Sequence, residues 1–311
     1  MTSPKVSVIM AVYNAENYLK ESIESILNQT FQDLELIIVN DGSTDNSLSI
    51  IKSYNDKRII LIDQKNSGAA ISRNNAIEIA SSNYIAILDA DDIALSDRLG
   101  KQYQFLSANP DYIILGSNAH VIDMEGNYIY DTELKETDEQ IKEQLPEMPF
   151  VHPSVMFRKN VFNKAGKYPD RMLVAQDAVL LNRMATFGKV CNLNECFIKY
   201  RIVPTANSSR NPKENADFKN FFNKAISNQK ISDQEYESLK KITNNRNSKN
   251  RMVNYHLFIA KKFLWNNYKP KMARRNLVNA FKLNPSITII FLFILSLSPK
   301  KIVQLVYRKF K

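Results

Sequence analysis

Four short apolar runs, each ending in a polar cluster, govern the N-terminal part of this chain. VSVIMAV (6–12), LELIIVN (34–40), RIILI (58–62) and YIAILD (84–89) read as strands. Between them apolar residues return at helical spacing, as in Ala15, Tyr18, Leu19, Ile23, Ile26 and Leu27; Asp45 is the expected N-cap of the next helix, and the stretch after Gly68 is again helical. Strands alternating with helices imply βαβ units and a mainly parallel sheet. In such sheets ligands sit outside the carboxyl ends of the strands. Here those ends are Tyr13-Asn14, Asn40-Asp41-Gly42-Ser43, Asn66-Ser67-Gly68 and Asp89-Ala90-Asp91-Asp92. One polar strand end is an ordinary turn; four together point to a site.

Asp89-Ala90-Asp91 is its centre. Two carboxylates one residue apart, where a strand enters a turn, can reach one cleft. A hard cation such as Mg2+ or Mn2+ takes oxygen ligands and keeps open positions for phosphates. Held by Asp91, it would stabilise charge developing on a leaving diphosphate. The competing reading is an N-cap cluster, with Asp91 or Asp92 capping the helix that follows.

VSVIMAVYNAENYLKESIESIL, LELIIVNDGSTDNS, NSGAAISRNNAI and YIAILDADD occur in this order. Together they resemble glycosyltransferase family 2, whose catalytic domain has the glycosyltransferase A fold, over roughly residues 4–205. The resemblance implies an inverting transfer of a hexosyl or N-acetylhexosaminyl group from a nucleotide-sugar, with Mn2+ or Mg2+ as cofactor. It implies that Ala11 and Tyr13 flank the nucleotide and that Asp41 accepts a hydrogen bond from the imide N–H of uracil, which favours UDP. Arg73, with Asn74 beside it, would meet the diphosphate or sugar. Asp89 would touch ribose or metal, and Asp91 the metal.

Downstream, MEGNYIY carries a turn at Glu125-Gly126, VHPSVMF (151–157) reads as a strand, and QDAVLLNRMATFG (176–188) as a helix. HPSVMFRK resembles the family's strand on the acceptor side, and His152 is as well explained by a role there as by a structural one. AQDAVLLNRM resembles the segment where the family usually carries Glu-Asp, the aspartate being the general base. Here the first position is Gln176 and the base candidate Asp177, which could instead cap its helix. YRIVPTANSS (200–209) resembles the family's Tyr-Arg segment; Val203 stands where a histidine often follows, and Arg201 would take part of its role. His120 and His256 read as structural.

Charge divides the chain unevenly. Residues 1–211 hold 21 Lys+Arg against 27 Asp+Glu, and residues 212–311 hold 21 against 5, so the net +10 hides an acidic body and a basic remainder. The expected organisation is a catalytic domain at 1–205, with a donor half at about 1–110 and an acceptor half at about 111–205, then a basic helical region at 206–311. Two helices joined at Lys269-Pro270 are expected to form an antiparallel pair packed on the catalytic body. Within ITIIFLFILSLS (287–298), nine of twelve residues are large and apolar, too few to cross a bilayer. With Lys300, Lys301, Arg308, Lys309 and Lys311 behind it, the segment 286–311 suits an anionic membrane surface; a final helix docked on the body is the alternative.

The opening MTSPKVSVIM does not read as a signal peptide, and Cys191 and Cys196 lack a partner pair or metal spacing, so a reduced, cytosolic setting is expected. The whole reading is a peripheral enzyme on the inner face of the cell membrane. It would transfer sugar to a saccharide or lipid-linked oligosaccharide in surface-polysaccharide synthesis. Three alternatives compete: a catalytically inactive relative used as a binding subunit, a nucleotidyltransferase, and a basic nucleic-acid-binding protein. The last rests on charge alone, without zinc spacing, a zipper or an RNA-binding motif, and no nucleic-acid partner is expected.

Overall fold

The computed structural model describes residues 3–204, 215–244 and 248–310. The side chains of Lys309 and Phe310, all of Lys311, and the polar stretch 205–214 around the expected boundary lie outside the described residues. Residues 3–119, 132–200 and 215–242 form one compact unit; residues 120–131, 201–204 and 243–310 belong to a second.

The first unit opens with β1 (Val6–Val12), α1 (Leu19–Leu27), β2 (Leu34–Asp41), α2 (Ser47–Lys52), β3 (Ile59–Gln64), α3 (Ala69–Ile79) and β4 (Tyr84–Ile87). Then follow β5 (Ile93–Ala94), α4 (Arg98–Ala108), β6 (Tyr112–Ile122), whose last residues enter the second unit, and β7 (Tyr128–Asp131), which lies there. The first unit resumes with α5 (Asp138–Gln144), a 3-10 turn at His152–Ser154, β8 (Met156–Arg158), α6 (Lys159–Lys164), α7 (Gln176–Ala185), β9 (Lys189–Arg201), α8 (Ala216–Ile226) and α9 (Asp233–Asn244). Strand order is β3-β2-β1-β4-β8-β6-β9-β5. β3, β2, β1 and β4 are parallel, β8 is antiparallel to both β4 and β6, and β5 is antiparallel to β9.

The sheet is covered on both faces, which is why its central strands read as mainly apolar runs. Alternate residues serve opposite cores. Val8, Met10, Leu36 and Ile38 face one core with Leu19, Ile23 and Ile26 of α1 and Leu99 of α4. Ile9, Ile37 and Val39 face the other with Ala76 and Ile77 of α3 and Leu180 and Met184 of α7. A third cluster joins Met172, Val174 and Val179 to Phe218, Phe221 and Ala225 of α8 and to Leu239 of α9, so these helices pack within the sheet unit.

VHPSVMF is not one strand. Val151 leads into the 3-10 turn, where Ser154 Oγ bonds Val151 O at 2.7 Å, and pairing begins only at Met156. Pro153 has no N–H to give a ladder, and the preceding His152 ends the extended run.

The second unit contains the β6–β7 hairpin, turning at Gly126 (φ +84), with α10 (Ser248–Trp265), α11 (Pro270–Leu283), α12 (Ile287–Leu295) and α13 (Lys300–Phe310). α10 and α11 pack together, and His256 Nδ1 bonds Asn276 Oδ1 at 2.8 Å between them. Among the described residues no helix is long and apolar enough to cross a membrane.

Candidate active site

At the carboxyl ends of β1 and β2 two loops are cross-bonded. Asn14 adopts φ +51, its N–H donates to Ser43 Oγ at 3.1 Å, and its Oδ1 accepts from Thr44 N at 2.8 Å. Asp45 is not the N-cap of α2, which is Asn46; its Oδ1 accepts from Ser47 N at 2.9 Å and its Oδ2 from Glu16 N at 3.0 Å, tying the two loops together. Tyr13 projects outward, 53% exposed, and Ala11 is half-buried in β1.

Asp41 ends β2 and is buried. Its Oδ1 accepts from Ser67 N at 2.8 Å and Gln64 Nε2 at 2.9 Å, and its Oδ2 accepts from Gly68 N at 2.9 Å. The approach of the 66–68 loop depends on Gly42. At φ +68, a Cβ there would lie 2.7 Å from Asn66 N, so no other residue fits without moving the loop.

Arg73, in the first turns of α3, reaches across to β4. Its Nη2 donates to Asp89 Oδ1 at 2.7 Å, and its guanidinium lies 5.7 Å from the centre of the Tyr168 ring. Burial opposes the Arg73 charge, but Asp89, Tyr168 and Asp177 outweigh it and raise its pKa. For Asp89 burial likewise pushes upward, yet Arg73, His152 and Arg98 together hold the carboxyl below the ordinary range. Asp91, two residues on, is half-buried. Neither Asp91 nor Asp92 caps the next helix: β5 intervenes, and α4 begins at Arg98 behind Asp97.

His152 and Asp177, expected on the acceptor side, lie by the same groups. His152 is buried with Nε2 2.8 Å from Tyr168 Oη. Burial, then Arg73, lower the His152 pKa against Asp177 and Asp89, so the ring is neutral at neutral pH. Burial drives the Tyr168 hydroxyl upward, and it stays protonated. Asp177 lies close enough to act electrostatically on Arg73, His152 and Tyr168. It is the second residue of α7 rather than its cap, a position that favours negative charge at the helix N-terminus. The cap position belongs to Ala175, in left-handed conformation at φ +57.

Other candidates are engaged elsewhere. Asn74 bonds the main chain of Tyr168 twice, Nδ2 to its O at 2.9 Å and Oδ1 from its N at 3.0 Å. Gln176 donates its amide to Met172 O. Arg201 is buried in the second unit, where Nη1 approaches Asp123 O at 3.5 Å.

Tyr168 and Arg98 carry no sequence signal of their own. Arg98 is wholly buried: Nη2 donates to Ile87 O at 2.8 Å, and Nε to Gln102 Oε1 at 3.0 Å. Gln102 Nε2 in turn donates to Ser154 O at 2.8 Å, so the end of β4 is tied to the turn that carries His152. Burial lowers the Arg98 pKa to about 9 against the pull of Asp92 and Asp89, leaving it charged at neutral pH. A charged residue at a position that begins a helix reads as solvated; only the tertiary contacts reveal otherwise.

A parallel βαβ half extended by antiparallel strands, with polar groups converging at its carboxyl edge, is the glycosyltransferase A-type fold. Residues 7–166 match the glycosyl transferase family 2. An uncharacterised glycosyltransferase of Methanocaldococcus jannaschii is 43% identical over 210 residues, covering 65% of this chain and 72% of that protein. Glycosyltransferase GlyA of Streptococcus pneumoniae is 35% identical over 132 residues, which is 42% of this chain and 19% of that protein. The chain also spans only 52% of a Haemophilus influenzae relative and 30% of one from Rickettsia bellii. Among solved structures, S. aureus TarS 1-349 in complex with UDP-GlcNAc shares the fold at a TM-score of 0.59 and 19% identity, covering 99% of this chain and 92% of that one. The chain belongs to glycosyltransferase family 2 and is a glycosyltransferase.

Proposed function

We infer that the chain moves a sugar, with inversion, from a UDP-sugar to a saccharide or lipid-linked saccharide acceptor during surface-polysaccharide synthesis. The observation that carries this reading is a single electrostatic cluster: Arg73 and Asp89 from the nucleotide-side elements, with His152, Tyr168 and Asp177 from later in the chain. The TarS complexes with UDP and UDP-GlcNAc lend support to the choice of donor.

Asp41 serves as acceptor for the uracil imide N–H. Three bonds already fix its carboxylate, which offers about four acceptor sites, so one remains for the base. Tyr13 supplies a ring for the base edge, beside Ala11. Arg73 presents its remaining N–H groups to the diphosphate. Bonded to Asp89, it cannot swing away. Asn74 acts indirectly, by holding Tyr168.

The donor atoms at the DxD turn suit a hard divalent cation. Both are carboxylates, and half-buried Asp91, two residues beyond Asp89, is assigned to hold Mn2+ or Mg2+ with Asp89 beside it. Such a cation, when bound, supplies charge neutralisation for the departing diphosphate. Asp177 takes the proton from the acceptor hydroxyl as it attacks, a contribution of about 10²–10⁴-fold. His152, neutral and bonded to Tyr168, and Gln176 line the acceptor side. Arg201, buried in the second unit beside Asp123 O, is given no part in the site. Peripheral association with the inner face of the cell membrane brings the enzyme to a lipid-linked acceptor.

Calorimetric titration of UDP into the wild type, Asp91→Ala and Asp177→Asn, with and without Mn2+, tests the reading. The wild type should bind UDP only with metal, Asp91→Ala should not bind, and Asp177→Asn should bind normally yet turn over slowly. A wild type that ignores UDP under both conditions sinks the proposed donor.

A further inference from the structure

Glu237 is the last acidic residue of the sequence: residues 238–311 hold 17 Lys and Arg and no Asp or Glu. Within that stretch, α12 is apolar on two opposite faces. Ile289, Leu292 and Leu295 are buried in the second unit, where α12 packs against α11. Ile287, Ile290, Phe291, Ile294 and Leu297 fall at helical spacing on the opposite side and meet solvent, with Ile287 87%, Ile294 61% and Leu297 65% exposed. A helix apolar all round belongs in a protein core or in lipid, and this one is only half covered. Its nine residues extend about 14 Å, roughly half of a bilayer's hydrocarbon core, so insertion in the plane of the interface is what remains. On α13, Ile302 and Leu305 add exposed apolar surface, and exposed Lys300, Lys301 and Arg308 stand among them.

Charge decides what covers this face. A second copy of the chain would set Lys300, Lys301 and Arg308 against their own counterparts, with no carboxylate in the segment to relieve them. Anionic headgroups complement the same pattern, each Lys or Arg adding about fivefold to partitioning. We propose that the outward face of α12 and of the turn that follows it, from Ile287 to Leu297, inserts into the interface of an anionic bilayer while Lys300, Lys301 and Arg308 engage lipid phosphates. This assigns residues to the peripheral association proposed above, and it stands independently of the donor site.

The test uses the full chain and sedimentation with vesicles of phosphatidylcholine alone or mixed with phosphatidylglycerol. The wild type should bind the mixed vesicles, and added salt should weaken the binding. Ile287→Ser with Ile294→Ser should lower partitioning roughly a hundredfold. Lys300→Gln with Lys301→Gln should lower it about thirtyfold on anionic vesicles only. Trp265, the one tryptophan, stacks on Tyr307 of α13 at 5.0 Å, so unchanged emission in the absence of lipid certifies that the variants keep this packing. Calorimetry with UDP on the same samples separates loss of membrane binding from loss of the donor site. Failure of the wild type to sediment with anionic vesicles at low salt overturns the proposal. So does equal binding by the serine variant, or self-association that the serine substitutions abolish in a chain without lipid affinity.

Discussion

Asp89→Asn isolates the contact on which the site's geometry turns. The Arg73–Asp89 pair is 2.7 Å long, with side chains 13% and 28% exposed, so neither charge is well solvated. Breaking a fully buried pair from one side costs about 3–5 kcal/mol. Partial exposure and the remaining field of Asp177 reduce that to about 2 kcal/mol here. For a unit of this size the loss is about 4–8 °C in Tm. The pH dependence follows from the folded-state carboxyl being depressed below its ordinary value of 3.8. A depressed carboxyl stabilises the fold fully above the unfolded pKa, and the contribution fades as pH falls through the folded value. The gap between wild type and Asp89→Asn should therefore be constant from about pH 5 to 8 and close below about pH 4. Thermal melts followed by circular dichroism across that range measure it. Arg73→Met combined with Asp89→Leu should recover part of the stability, because neither charge is then buried alone, yet it should not restore UDP binding. An Asn variant that melts within about a degree of wild type at neutral pH, or a gap that persists unchanged into acid, would show that the ionised pair does not stabilise this fold.

Gly42→Ala should cost about 1–3 kcal/mol, since a Cβ at φ +68 meets Asn66 N at 2.7 Å. Displacing that loop also disturbs the Ser67 and Gly68 bonds to Asp41, so calorimetry should show UDP affinity down about tenfold. Tyr168→Phe strands the buried His152 Nε2 and should lower stability by about 1–2 kcal/mol in urea unfolding. Asp177→Asn should reduce kcat by about 10²–10⁴ in a donor-hydrolysis or transfer assay while leaving UDP affinity within about twofold.

Particular residues show what could be read from the sequence. β1, β2 and β4 were legible because a parallel strand buried on both faces is mostly apolar; all eight residues of β2 are buried, and Leu34, Leu36, Ile37, Ile38 and Val39 are apolar. The helix after β2 was legible to within a residue: its N-cap is Asn46, one beyond the expected Asp45, whose carboxylate still bonds Ser47 N locally. The 3-10 turn at 152–154 was hidden in a strand-like composition, and only Pro153 hinted at the break. Tyr168 was out of reach for a different reason. Its position depends on Asn74, 94 residues away, and no periodicity encodes a contact at that separation. Arg98 is similar: a wholly buried guanidinium has the same local signature as a solvated one.

Those distant contacts carry the remaining argument about catalysis. Arg73 and Asn74 are neighbours on α3 but face different tasks, one bonded to Asp89 at the end of β4 and the other clamping the main chain of Tyr168. The Tyr168 ring in turn lies by the Arg73 guanidinium, and its hydroxyl meets His152. One turn of helix thus links the end of β4 to the segment preceding Asp177. Sugar transfer by a single displacement requires the leaving diphosphate and the attacking hydroxyl to be held in register, and misplacement by about 1 Å costs about a hundredfold. On the proposed roles, the register between Arg73 on the diphosphate and Asp177 on the hydroxyl passes through Tyr168. Substitutions at Tyr168 or Asn74 should then lower kcat more than they raise KM for the donor. A change confined to donor KM would place Tyr168 in binding alone.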